Sequence, residues 1–165
     1  MNAQLKELQN KSEIQILALE NQLSAFQKTL LETLSTINNK IIPPKFELIL
    51  SRYFYIEHDY KKTWDEAAEA CRGTGGYLAA FKTQEELAAI MQKLKKRVWY
   101  WTGVRHSKEG GKFISTASGK PATVFKWFEG EPRNDGACVF LDDLGMRDLN
   151  CSSERSFICQ LDNET

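Results

Sequence analysis

An α+β domain carried behind one long helix is the fold class that the sequence predicts. Three observations carry it. The first residues form an amphipathic segment free of Gly and Pro. Two capping boxes then open two helices. A series of short aromatic and β-branched runs follows, spaced by glycines. Two helices followed by many short strands argue for α+β over α/β.

The first segment is residues 1–42. Apolar residues recur at Ile16, Leu19, Leu23, Phe26 and Leu30, in steps of three and four, which is an a/d seam. Leu34, Ile37 and Ile41 continue it after a four-residue step from Leu30, an insertion that locally unwinds a supercoil. Upstream, Gln9 and Ser12 sit at seam positions, so the first turns are expected to fray. A lone helix of this size is marginal in water. Residues 1–42 therefore read as a coiled-coil oligomerisation helix that forms a homo-oligomer, with a helix packed on its own domain as the competing reading. Mixed Ile, Leu and Phe at the seam do not choose between dimer and trimer. Ile42-Pro43-Pro44 ends the helix, because proline removes a donor and pushes its predecessor out of the helical region. The domain then runs over residues 45–161, with 162–165 as a tail.

Within the domain, Tyr53-Phe54-Tyr55-Ile56 reads as a strand. Thr63-Trp64-Asp65-Glu66 is a capping box, and its helix should end around Gly73. Tyr77 to Phe81 is a short strand. Thr83-Gln84-Glu85-Glu86 is a second capping box, and its helix carries Leu87, Ile90, Met91 and Leu94 on one face. Lys95-Lys96-Arg97 is expected to close that helix and complement its dipole. Further strands are expected at Trp99 to Arg105, Phe113-Ile114, Val124 to Phe128, Cys138 to Leu141 and Phe157 to Gln160. Glycines at 110, 111, 119, 130, 136 and 145 mark turns. The stretch from about 129 to 150 reads as long irregular loops, where binding sites usually sit.

Lys+Arg and Asp+Glu both number 22, so the formal net charge is zero and the basic excess of a nucleic-acid binder is missing. No apolar run approaches a membrane span. The start lacks the apolar core of a signal peptide, so a secreted chain would carry its signal upstream. Catalysis is not expected: the sequence shows no Ser-His-Asp arrangement and no Gly-rich phosphate loop. The four cysteines are Cys71, Cys138, Cys151 and Cys159. An even count without close ligand pairs favours two disulfides, and with them an oxidising compartment, over zinc. Spacing alone leaves all three pairings open. Asn-x-Ser/Thr triplets start at Asn10, Asn150 and Asn163. Asn10 is the preferred glycosylation site because it lies on an exposed helix face, whereas Asn150 precedes a cysteine.

Several pieces in order carry a family resemblance. They are the Trp64 helix leading to Cys71, Gly76-Tyr77-Leu78-Ala79, Tyr100-Trp101-Thr102-Gly103-Val104, Trp127-Phe128-Glu129-Gly130-Glu131-Pro132, Asp148-Leu149-Asn150-Cys151 and Phe157-Ile158-Cys159. Together they resemble the C-type lectin-like domain: two helices, short antiparallel sheets and a long loop. Ser51 to Glu57, Phe113 to Thr116 and Phe125-Lys126-Trp127 are similar to secreted insect lectins of the accessory-gland type. The resemblance implies pairing of Cys71 with Cys159 and of Cys138 with Cys151.

Sugar-binding members of that family hold one calcium ion in the long loop. Their ligands are a Glu-Pro-Asn triplet, a Glu two residues before the third cysteine, and an Asn-Asp pair after a tryptophan. A hard cation takes six to eight oxygens, and sugar hydroxyls complete the shell. This sequence keeps the pattern in part. Glu131-Pro132 is followed by Arg133, Gly136 stands two before Cys138, and Met146-Arg147-Asp148 replaces the last group. Glu131 and Asp148 remain, and Asn134 and Asp135 can contribute oxygens. Arginine has only donors and cannot ligate a cation. No cofactor is expected, calcium being the one candidate. Arg133 or Arg147, paired with Glu131 or Asp148, is expected to replace the metal in organising the loop. In sugar-binding relatives the Glu-Pro bond is cis and calcium coordination helps to hold it; here modest local contacts can decide the isomer.

The expected function is extracellular glycan or glycoprotein binding through Glu131, Arg133, Asn134, Arg147 and Asp148, without the family's calcium dependence. Trp127, Phe128 and Phe140 are candidates for stacking area, with a core role as the competing reading. The alternative is calcium-independent protein recognition, in seminal fluid or reproduction on the closer resemblance.

Overall fold

The computed structural model describes residues 3–108 and 111–163, and the backbone but not the side chains of residues 38–41. Gly110, the Ile41 side chain, and the Glu164-Thr165 end of the last glycosylation triplet lie outside the described residues. The chain divides into two compact units, Met1–Ile42 and Pro43–Thr165.

The first unit is one helix, α1 (Ala3–Ile41). At 1.5 Å per residue it is about 58 Å long. It runs unbroken through Gln9 and Ser12, where fraying was expected. Polar residues there weaken a seam, but neither breaks the backbone ladder as Gly or Pro would. Thr29, Thr33 and Thr36 each donate their hydroxyl to the carbonyl four residues back, at 3.0, 2.8 and 2.9 Å, so these β-branched residues leave no polar group unmet. The seam residues from Ile16 to Ile37 are 44–65% exposed.

The second unit holds α2 (Trp64–Gly73), α3 (Gln84–Lys93) and eight strands. The strands are β1 (Glu47–Ile49), β2 (Arg52–Lys62), β3 (Tyr77–Leu78), β4 (Tyr100–His106), β5 (Phe113–Ser115), β6 (Cys138–Leu141), β7 (Met146–Leu149) and β8 (Arg155–Gln160). They join in one sheet of order β1-β2-β8-β4-β6-β7, with β3 on β8 and β5 on β4. Most pairs are antiparallel. The exception is β4 on β8, where Tyr100 faces Ser156 and Trp101 faces Phe157 in parallel. The short antiparallel ladders that were expected are present, and this parallel contact joins them into one sheet.

Local chemistry explains most elements. Thr63 caps α2 with a complete capping box, and Trp64 at its first position is buried with Nε1 donating to the Thr102 carbonyl at 2.9 Å. Thr83 caps α3 by accepting from the Glu86 amide at 3.1 Å, but the second half of the expected box is absent. Glu86 turns inward instead. Its Oε1 takes Arg52 Nη1 at 2.6 Å and the Lys82 amide at 3.0 Å. Arg52 also reaches Asp162 at 2.8 Å and the Ala80 carbonyl at 3.1 Å. Arg52 and Glu86 side chains are 4% and 3% exposed. Asp162, assigned by sequence to the tail, is thus tied into the domain.

Other boundaries moved. The helix α3 stops at Lys93 with Leu94 as its C-cap, so Lys95, Lys96 and Arg97 lie beyond it. Lys95 pairs with Asp59 at 3.1 Å, and Arg97 has φ +63°. The expected strand at Tyr77–Phe81 pairs only as far as Leu78. Val124 to Phe128 forms no strand; it makes a single bridge, Trp127 to Met146. Part of the expected irregular stretch is the β6–β7 hairpin, whose turn is held by Asp142 accepting from the Leu144 and Gly145 amides at 2.8 and 2.9 Å. Disulfides join Cys71 to Cys159 and Cys138 to Cys151, the pairing that the resemblance implies. The first pins α2 to β8 across 88 residues, a loop whose closure alone corresponds to about 4–5 kcal/mol in a chain-entropy account.

Removing Glu86 strands a buried guanidinium. Glu86→Ala is therefore expected to destabilise the domain by about 3 kcal/mol, the low end for breaking a buried pair, because Asp162 still faces Arg52. Denaturant unfolding of the full chain measures this. A change below about 1 kcal/mol would place the pair among weak surface contacts.

Candidate functional site

The long loop begins where Gly130, at φ +83°, turns the chain out of Trp127-Phe128-Glu129. The Glu131–Pro132 bond is cis. The loop returns at Cys138, which the 138–151 disulfide clips to the far end of the β6–β7 hairpin. Between these anchors the backbone curls around one side chain. Asp148, on β7 and buried, accepts from the Arg133 amide at 2.9 Å and the Gly136 amide at 3.4 Å.

Gly136 owes its identity to crowding. A Cβ there would meet the Leu149 carbonyl carbon at 2.2 Å. No side chain fits at 136 without moving β7. This is the position at which the resemblance would place a calcium-ligating glutamate.

Glu131 projects into the same space, its side chain 6% exposed. Its Oε1 faces Arg133 Nε at 3.2 Å. Its Oε2 is buried with no N–H or O–H facing it. The neighbouring carboxylate is that of Asp148. Burial and this neighbour hold the Glu131 carboxyl above the usual carboxylate range, against the pull of Arg133. Asp148 goes the other way. Burial alone would raise it, but the Arg133 amide, the hydrogen bond from Glu131 and the Gly136 amide outweigh that. The two carboxyls are thus driven apart, Glu131 toward its neutral form and Asp148 toward its ionised one.

The expected arginine pairing is met by one residue and not by the other. Arg133 faces Glu131, yet its side chain is 67% exposed, so the ion pair is weak. Arg147 pairs with neither Glu131 nor Asp148. It lies 3.6 Å from Asp142 and stacks over Phe128, its guanidinium carbon 3.7 Å from the ring centroid. Strand alternation explains the difference, since adjacent residues on β7 point to opposite faces. The loop is organised by backbone amides on Asp148 more than by either guanidinium.

Glu131, Arg133, Asp135, Arg147 and Asp148 line one cleft of about 170 Å³. Asn134 stands apart from it: the residue has φ +59°, and its Oδ1 lies 3.0 Å from His106 Nε2. The proposed stacking aromatics are occupied. Phe140 is buried, Trp127 packs at 5.2 Å on Phe125, and Phe128 lies under Arg147. In sequence, Trp99 marks only the start of an expected strand. It is 37% exposed, stacks on Phe140 at 5.0 Å, and lines the cleft. Its signal in the sequence was an aromatic residue just before a strand, beside the basic cluster.

These residues do not fit calcium. A hard cation needs six to eight oxygens. Glu131 Oε1 already faces Arg133, and the Asp148 oxygens accept two amides. Among the described residues no group of three or more His, Cys, Asp or Glu side chains is arranged to hold a metal ion. The cleft instead offers donors from Arg133 and Arg147 beside carboxyl acceptors. The Arg147 Nε is buried without a partner. Such an arrangement can bind hydroxyl or acidic groups through charge-assisted hydrogen bonds.

Comparison with known proteins places this geometry. The accessory gland protein Acp29AB of Drosophila simulans is 34% identical over 128 residues, covering 74% of this chain. The chain spans about half of that relative's length, 53%. The C-type lectin domain of murine dendritic cell inhibitory receptor 2, solved in complex with N-glycan, superposes with a TM-score of 0.65 at 25% identity, over 73% of this chain and 98% of that one. A calcium-independent type II antifreeze protein superposes with a TM-score of 0.64 at 28% identity, over 72% of this chain and 92% of that one. Residues 60–161 match the lectin C-type domain. With the two disulfides, the parallel β4–β8 contact and the curled loop on Asp148, the chain belongs to the C-type lectin domain family.

Proposed function

We propose that this chain is an extracellular recognition protein that binds glycan through the long-loop cleft without calcium, and that α1 assembles several copies. One observation carries the binding reading. Within one cleft, arginine donors lie beside the Glu131 and Asp148 carboxyls, next to a part-exposed tryptophan. Vicinal sugar hydroxyls donate and accept at once, and such a surface satisfies both roles. The relative solved with N-glycan supports the substrate class, and the calcium-independent antifreeze relative supports a fold that stands without the ion. Two disulfides favour an oxidising compartment. No described helix is long and apolar enough to cross a membrane. The accessory gland relatives suggest seminal fluid as the setting. Asn10, exposed on α1, is the proposed glycosylation site.

Assembly rests on the exposed seam. A helix of this length with apolar residues at a/d spacing and no apolar partner in its own unit is suited to pair with copies of itself. Side-by-side domains then raise weak single-site affinity through effective concentration.

On a glycan array, binding is expected to persist in chelator and to be unchanged by millimolar calcium. Arg147→Gln should weaken it about tenfold, the loss of one charge-assisted hydrogen bond. Calcium-dependent binding would overturn the reading. Absence of any glycan signal, with a protein ligand bound instead, would replace it by protein recognition.

Light scattering at micromolar concentration is expected to show an oligomer that Leu23→Asp with Phe26→Asp converts to monomer while the domain stays folded by circular dichroism. A monomeric unsubstituted chain would refute assembly through α1.

A further inference from the structure

A second cavity adjoins the cleft across Trp99. It has a volume of about 320 Å³ and is lined by His58 and Lys61 of β2, Arg97 and Trp99 of the α3–β4 connection, and Arg155 of β8. Every charged side chain in that lining is cationic. The residues come from three separated stretches of sequence, so no local charge run produces the cluster.

Three of these cations are uncompensated. Among the described residues no carboxylate lies within ion-pair distance of Lys61, Arg97 or Arg155. The nearby acid on β2, Asp59, is taken by Lys95 at 3.1 Å. The Arg97 backbone amide donates to Asp143 at 3.4 Å, and Arg97 lines the cavity. Arg155 lies over the Trp99 ring with its guanidinium carbon 4.6 Å from the centroid. One of its nitrogens donates to the Glu154 carbonyl at 2.6 Å, and its buried Nε has no partner. Burial holds this guanidinium below its ordinary range. The chain as a whole has no net charge, so the local excess does not follow from composition.

Like charges gathered in a cavity repel unless an anion joins them. An unpartnered buried donor is likewise costly until an acceptor arrives. Trp99 is common to this cavity and to the long-loop cleft, so one extended ligand can occupy both. We propose that the cavity is an anion subsite for acidic glycans, seating a sulfate or carboxylate of a sugar chain whose adjoining residues lie in the long-loop cleft. The inference deepens the glycan reading and rests on it.

Calorimetry on the full chain tests it with three probes: a heparin-derived hexasaccharide, its desulfated form, and a hyaluronan hexasaccharide carrying carboxylates alone. At least one acidic probe is expected to bind, and comparison among the three tells sulfate from carboxylate. Lys61→Gln and Arg97→Asn should each weaken that binding about tenfold, asparagine being chosen because it tolerates the positive φ. Lys112→Gln, a remote exposed lysine, should leave it unchanged. Equal losses at Lys61, Arg97 and Lys112 would reduce the effect to diffuse attraction and overturn the subsite. So would acidic binding indifferent to Lys61 and Arg97. Neutral glycans bound on the array with no acidic probe bound would sink this inference alone, whereas no glycan bound anywhere would sink both.

Discussion

The pairing of β2 with β8 closes the domain, and the other elements hang from it. Phe54 faces Gln160, Tyr55 faces Cys159 and Ile56 faces Ile158, so the first long strand and the last lie side by side. Such pairing carries the loop-closure entropy of nearly the whole domain, and several interactions at the seam offset that cost. Cys71 is bonded to Cys159 and draws α2 onto the strand. Arg52, at the start of β2, reaches Asp162 just past β8 and Glu86 at the start of α3. Gln160 accepts from the Ala80 amide through its side chain at 2.8 Å, holding the segment after β3 against the same edge. On its other side β8 takes β4 in parallel, and β4 carries β6 and β7. The candidate site therefore stands at the end of a series of strand pairings that starts with β2 on β8.

That frame also decides what the long loop can do. The 138–151 disulfide and the β6–β7 ladder hold Leu149 in place, and the loop backbone at Gly136 comes to rest against it. The contact leaves no room for a side chain. The same approach aims two amides at Asp148 and lowers its proton affinity, while burial raises that of Glu131 beside it. Backbone amides on Asp148 and the Arg133 guanidinium beside Glu131 offset carboxyl charge that a divalent ion would otherwise balance. The chemistry left to the surface is that of arginine donors and carboxyl acceptors, joined at Trp99 to a cavity walled by cations.

The sequence alone determined a good deal. Proline and glycine placement, capping residues and period set the elements, because these depend on a few neighbouring residues. α1, α2, β6 and β8 could be read to within a few residues on that basis. The ordered glycines, tryptophans and cysteines carried the family, and with it the disulfide pairing. The same pattern exposed the missing calcium ligands at Arg133, Gly136 and Arg147. What only the tertiary structure decided involved partners distant in the chain. Glu86 satisfied a capping-box pattern, yet a buried guanidinium 34 residues away outbid the local amide for its carboxylate. Arg147 stands next to Asp148 in sequence, within the family's ligand pattern, but strand alternation sent it to Asp142 and Phe128. Lys61, Arg97 and Arg155 showed nothing in common until β2, β8 and the α3–β4 connection met around one cavity. Local propensity is written in adjacent residues, whereas burial and electrostatic partnership arise only when the sheet brings remote segments together.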